Sequence, residues 1–184
     1  IDSSPAINSK GPKFKEEVLA FWKKEETEHR TLSPEKQYLL GYNYHMEQKY
    51  ELAHIWYEKR ASLRDSFAEN NLGTLYENGH GRDKDLTRAA EYYRRSAKNE
   101  LTYNGQGNER GQYNWAKCLA TGTGVEKNSK KALKWYRKSA KQGLASAMRE
   151  LGDFYRNGIE DVLEQDSNKA KDWFQKAINA GDEE

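Results

Sequence analysis

The chain has 184 residues, 35% of them hydrophobic and 33% charged, and its mean hydropathy of −1.16 is low for a single-core globule. Thirty-one basic and 29 acidic residues leave a net charge of +2 spread along the whole length, so no basic block marks a nucleic-acid track. The single cysteine, Cys118, excludes a disulfide framework and a paired-thiolate zinc site; no apolar run reaches the ~18 residues of a membrane span, and 5 Trp with 12 Tyr are too many for a disordered chain.

Residues 1–12, with Ser3, Ser4, Pro5, Ser9, Gly11 and Pro12, read as a flexible leader. The first residue is Ile1 rather than Met, so a processed or trimmed N-terminus is expected, with the leader as a tether. In 13–30, Phe14, Val18, Phe21 and Trp22 share one helical face. Phe21-Trp22 precedes Trp56-Tyr57 by 35 residues, which makes this segment a capping half-repeat.

Four similar units follow, at 35–64, 66–98, 111–143 and 145–181, and with the cap they make one helical domain over 13–181, ahead of a tail at 182–184. The first helix of each carries Leu40, Gly41 and Tyr44; Leu72, Gly73 and Tyr76; Trp115, Ala116 and Leu119; or Leu151, Gly152 and Tyr155. Residues four apart form an apolar stripe, and the Gly or Ala between them marks a contact between the partner helix and backbone. Each second helix carries an alanine, Ala53, Ala89, Ala132 or Ala170, then adjacent aromatics three residues on: Trp56-Tyr57, Tyr92-Tyr93, Trp135-Tyr136 and Trp173-Phe174. The small residue allows close approach, and the aromatic is expected to fill the gap to the neighbouring repeat.

The aromatic pairs are separated by 36, 43 and 38 residues. The longest interval contains an inserted loop, 99–110, with Tyr103, which is either slack or a binding loop. Three glycine-bearing loops, Asn78-Gly79-His80-Gly81, Thr121-Gly122-Thr123-Gly124-Val125 and Asn157-Gly158-Ile159, end first helices with left-handed caps. They separate the pattern from plain tetratricopeptide repeats, which have a period of about 34 residues and a tighter turn.

The pattern LGxxYxxGxG, an alanine and paired aromatics resembles the Sel-1-like repeat over roughly residues 35 to 181. The resemblance implies an all-α fold, a right-handed superhelix (solenoid) of helical hairpins. The first unit lacks the Gly-x-Gly loop, Trp115-Ala116 stands for Leu-Gly in the third, and Glu160 takes the second loop glycine in the fourth. These departures bear on the uniformity of the superhelical twist.

Among chemistry-bearing residues, His29, His45, His54 and His80 lack the i, i+4 spacing of a zinc face and read as surface or groove histidines. Cys118 reads as a core thiol. Gly105-Gln106-Gly107 with Gly111 mimics a phosphate loop but lacks its strand and spacing, so it reads as a flexible loop. The basic residues after each aromatic pair read as solvated helix faces. No metal, cofactor or catalytic residue is assigned.

Arrays of this kind present their first helices on a concave side. Helical phase places Tyr38, Tyr42 and His45, Asn70, Thr74 and Glu77, Tyr113, Lys117 and Thr121, and Arg149, Asp153 and Arg156 in that groove. Tyr, Asn and Arg are suited to protein recognition, so a protein partner is expected, with Tyr103 as a second contact and neither nucleic acid nor a membrane span involved. The resemblance further implies an exported, periplasmic bacterial adaptor or an immunity protein against a secreted toxic effector, lipid-anchored upstream of Ile1 or free, or a component of an envelope complex. It also raises a hydrolase of the β-lactamase-like type found in a cysteine-rich branch, but this chain lacks paired cysteines, and Ser96-Ala97-Lys98 and Ser139-Ala140-Lys141 are one residue too short for a Ser-x-x-Lys motif. The end near Trp173, Phe174 and Ile178 lacks a following first helix, which suggests a homodimer, partner docking or a fragment of a larger scaffold.

Overall fold

The computed structural model describes Lys24, Thr27 and residues 32–99, 105–159 and 162–181. Phe14, Val18, Phe21 and Trp22 of the expected cap, Tyr103 of the inserted loop and Glu160 lie outside the described residues. From Pro34 onward the helices are α1 (Pro34–Met46), α2 (Tyr50–Ser62), α3 (Ser66–Asn78), α4 (Leu86–Lys98), α5 (Glu109–Thr121), α6 (Ser129–Lys141), α7 (Ala145–Asn157) and α8 (Ser167–Asn179). Extended pairing among the described residues is limited to one isolated bridge between Ile159 and Leu163.

Local chemistry sets the helix starts. Ser33, Asp65, Asp85, Asn108, Asn128 and Asp166 each accept a hydrogen bond from a first-turn backbone N–H, satisfying donors that a helix leaves open. Gly79 (φ 72°) and Gly122 (φ 81°) end α3 and α5 in the left-handed conformation. The second loop glycines have a different task. A Cβ on Gly81 would lie 2.7 to 2.8 Å from the Tyr50 and Glu51 backbone, and one on Gly124 would run into the Leu86 carbonyl. Each therefore seats its loop on the start of the preceding repeat's second helix, α2 or α4.

Packing follows chain order. The hairpins α1/α2, α3/α4, α5/α6 and α7/α8 stack through α2/α3, α4/α5 and α6/α7, and α3 also touches α5, so the first helices form one layer of an all-α solenoid. Within each hairpin the small residue of the first helix meets the second aromatic of the next. A Cβ on Gly41 would sit 3.1 Å from the Tyr57 ring, and on Gly73 or Gly152 it would sit 2.5 Å from Tyr93 or Phe174. Ala116, fully buried, takes the equivalent place in the third hairpin.

The aromatic pairs thus divide their labour otherwise than the sequence suggested. The second member lies inside its own hairpin rather than between repeats, although Tyr136 also reaches Phe154 of the next hairpin at 5.4 Å. The first member carries a cation three residues on, Lys59 over Trp56 at 5.1 Å, Arg95 over Tyr92 at 5.2 Å, Lys138 over Trp135 at 4.5 Å and Lys176 over Trp173 at 4.4 Å. Tyr92, Trp135 and Trp173 are half-buried toward the outside, whereas Trp56 is only 2% exposed. Part of the basic run after each pair is therefore a lid on an aromatic ring and not simply a solvated face.

The Gly–ring contact makes a graded prediction. Gly73→Ala gains helix propensity of about 1 kcal/mol but drives a methyl into Tyr93, which is 1% exposed and has nowhere to move. The net result is a loss of about 1–2 kcal/mol in urea unfolding. Gly152→Ala meets the half-buried Phe174 ring at the same distance and costs less, because that ring can shift.

Candidate functional site on the inner helix layer

The inner layer is built from α1, α3, α5 and α7, and its side chains fall into columns counted from Gly41, Gly73, Ala116 and Gly152. Three residues before these lie Tyr38, Asn70, Tyr113 and Arg149; two before lie Leu39, Asn71, Asn114 and Glu150. Each of the first three residues in the former column meets the latter column of the next repeat. The Asn71 amide donates to the Tyr38 hydroxyl at 3.2 Å, the Asn114 amide donates to Asn70 Oδ1 at 2.9 Å, and the Tyr113 hydroxyl bonds to the Glu150 carboxylate. Burial, then the charge of Asp153, pushes the Glu150 carboxyl above its usual range, and the bond from Tyr113 works against that.

This polar ladder changes the standing of several expected groove residues. Asn70 does not face outward: it is 7% exposed because its amide is clasped between Asn114 and Asn71. Tyr38 is half-buried, 6.0 Å from both Tyr57 and Phe67, and burial raises its hydroxyl pKa. Tyr113 is half-buried against Tyr136 at 5.7 Å. Asn71 and Asn114 were not singled out in the sequence. Their signal was present, since both sit two residues before the small helix position.

The next column, one residue after the small position, holds Tyr42, Thr74, Lys117 and Asp153. Tyr42 is 43% exposed and Lys117 is exposed, whereas Thr74 bonds back to the Asn70 carbonyl and receives the Tyr93 hydroxyl at 3.3 Å. Four residues after it lie His45, Glu77 and Arg156. Glu77 accepts the Tyr93 hydroxyl at 2.6 Å and lies 3.8 Å from Lys117 Nζ. Burial keeps the Tyr93 phenol protonated as the donor. Arg156 pairs with Asp153. His45 packs edge-on against Tyr50 at 5.5 Å and Tyr57 at 6.3 Å; burial, then His80, holds its pKa low. Thr121 falls one step off this phase and spends its hydroxyl on the Lys117 carbonyl.

The accessible remainder is a strip running from an apolar end to a charged one. At one end lie Tyr42, Leu39 (52% exposed), Met46 (65%) and Phe67 (52%); along the rest lie Lys117, Thr121, Asp153 and Arg156. Such a strip offers ring and methylene contacts at one end and paired ions at the other, and suits a polypeptide. Arg149 is half-buried beside Glu150.

Other candidate chemistry is absorbed by the fold. Ser96 and Ser139 are fully buried and donate at 2.7 Å to the Ser66 and Glu109 carbonyls, pinning each second helix to the start of its first. His54 of α2, expected at the surface or in the groove, is fully buried against Tyr76 of α3, with Nδ1 3.5 Å from Glu58, whose carboxyl it holds below its ordinary range. The Gly105–Gly107 stretch is not a loose loop where it meets α5. Gly107 is buried with φ 81°, a Cβ there would strike the Ala97 carbonyl, and its own carbonyl accepts from Gln142 Nε2 at 3.1 Å. Among the described residues no cluster of three metal-ligating side chains occurs and no helix is long and apolar enough to cross a membrane.

Stacked helical hairpins, two of them turned by paired-glycine loops, define a helical-repeat scaffold. The Sel1 repeat model matches residues 35–65, 66–101, 110–144 and 145–182, and the chain belongs to the Sel1 repeat family, whose members generally serve as protein-interaction modules. It is similar to a Sel1 repeat protein from Oxalobacter formigenes (29% identity, TM-score 0.69, 79% of this chain and 55% of that one). It is also similar to a protective antigen of uropathogenic Escherichia coli with an SLR fold (29% identity, TM-score 0.73, 83% of this chain and 32% of that one). The chain thus spans about half and a third of the lengths of these two proteins. No curated protein sequence matches it.

Cys118 offers a check on nucleophilic chemistry. It is 4% exposed, and burial, then Glu77, pushes its thiol up to about 11. Alkylation of the folded protein at mildly basic pH should run about two orders of magnitude slower than that of the urea-unfolded chain. Equal rates would show an accessible thiol of ordinary reactivity, and a faster folded-state rate an activated one.

Proposed function

We propose that this protein binds a partner polypeptide along its inner helix layer, through Tyr42, Leu39 and Met46 at one end and Lys117, Asp153 and Arg156 at the other. The observation that carries the reading is the division of the layer into two sets. The Tyr38–Asn71, Asn70–Asn114 and Tyr113–Glu150 links stiffen the surface, while Tyr42, Lys117, Asp153 and Arg156 of the adjacent columns stay accessible. A pre-ordered surface loses little entropy on binding, which favours affinity per contact.

Within that reading we assign the protein the role of an exported bacterial adaptor or an immunity protein against a secreted effector. Support comes from the family and from the bacterial origin of both matched structures, one of which is a protective antigen. Hydrolysis of the β-lactamase-like type finds no support in the serines, whose hydroxyls are committed to backbone carbonyls.

Affinity capture with the purified chain, followed by mass spectrometry and titration of the recovered protein, tests the proposal. The triple variant Tyr42→Ala, Lys117→Glu, Asp153→Lys should weaken that partner by at least about tenfold, with the unfolding midpoint unchanged. Unaltered binding by the variant would refute the inner-layer reading.

A further inference from the structure

The outer helices carry charge very unevenly. α6 holds six basic residues, Lys130, Lys131, Lys134, Arg137, Lys138 and Lys141, all exposed, and no acidic residue. Helical spacing sets like charges one turn apart, as in Lys130/Lys134, Lys134/Lys138 and Arg137/Lys141, which opposes the helix they sit on. On α4 the arginines are neutralised at home: Arg88 by Asp85, Arg94 by Glu91 and Arg95 by Glu69. Among the described residues no α6 cation lies within ion-pair distance of a carboxylate; Arg137 donates instead to the Tyr155 hydroxyl at 2.9 Å, and Lys138 covers Trp135.

Two depressions flank this helix. One of about 750 Å³ gathers Lys98, Lys138 and Lys141 around Trp135 and Gln142; the other, of about 500 Å³, is bordered by Lys130, Lys134 and Arg137. A self-repelling, unneutralised face on a chain whose net charge is only +2 calls for an anionic counterpart. We infer that the α6 face docks an acidic polypeptide segment of a partner protein, whose carboxylates enter the two depressions against Lys134, Lys138 and Lys141. Three anions compete for the role, and the surface discriminates among them. A lipid surface favours apolar side chains that insert, and neither α4 nor α6 exposes a large apolar residue. Single-stranded nucleic acid favours open rings for stacking, and the Trp135 ring is half-buried under Lys138. An acidic polypeptide needs only charge and room for short side chains, which this face supplies.

The test is fluorescence anisotropy of a labelled oligoglutamate peptide with the full chain, run beside phosphatidylglycerol vesicles and duplex DNA. The peptide should bind at low salt and lose about tenfold in affinity or more with K134Q/K138Q/K141Q, and further with K134E/K138E/K141E. The glutamine variant keeps the helix, so its unfolding midpoint should stay that of the parent. Reversal of three cations elsewhere, K84E/K127E/K171E, and the inner-layer triple variant should both leave peptide binding near the parent value, which separates this face from overall charge and from the inner layer. Equal weakening by the K84E/K127E/K171E control, or tighter binding of vesicles or DNA than of the peptide, would overturn the inference.

Discussion

The whole array rests on one contact, a ring laid against a helix that has no side chain at that point. At Gly73 the Tyr93 ring fills the space a Cβ would need, and the same arrangement recurs at Gly41 and Gly152. Only a glycine or an alanine lets two helices come this close, and a helix pays for glycine in backbone freedom. The cost is met by burying a large aromatic side chain in the first three hairpins, where Tyr57, Tyr93 and Tyr136 are essentially inaccessible, while Phe174 of the fourth is half-buried. Everything else, from the inner columns to the outer cations, takes its direction from this fixed crossing.

The hairpin order and the all-α class were legible because the fold repeats its packing, and repeated packing leaves repeated residues. The alanines, the aromatic pairs and the small helix position could each be read four times. Which aromatic points where could not, because adjacent residues on a helix differ by only about 100° and the period cannot tell the inside of a hairpin from the seam between two. The structure resolves that choice through Gly73 and Tyr93, and leaves the neighbouring Tyr92 under Arg95.

The inner surface was legible in phase but not in exposure. Counting along the helices put Tyr42, Lys117 and Arg156 on it, and they are exposed there. The same count could not foresee that Asn70 would be closed off by Asn114, forty-four positions away, because such a bond depends on the rise between repeats. His54 was misread for a related reason. A polar residue beside buried Ala53 on α2 faces the next hairpin, and its burial is decided by Tyr76 of α3 rather than by its own helix. On the outside, the Lys/Arg runs were visible, but only the partners of Arg88, Arg94 and Arg95 distinguish a neutralised run from the bare one on α6.

The loop glycines Gly81 and Gly124 touch main chain, not side chains, in the repeat before them. The rise from the first hairpin to the second and from the second to the third is therefore referenced to atoms that every residue possesses. Exposed side chains that bridge no repeats, on the inner or the outer surface, can be substituted without altering that spacing, so the surface chemistry is free to drift while the geometry that displays it stays put. A scaffold referenced in this way can exchange one set of surface side chains for another without having to rediscover its fold.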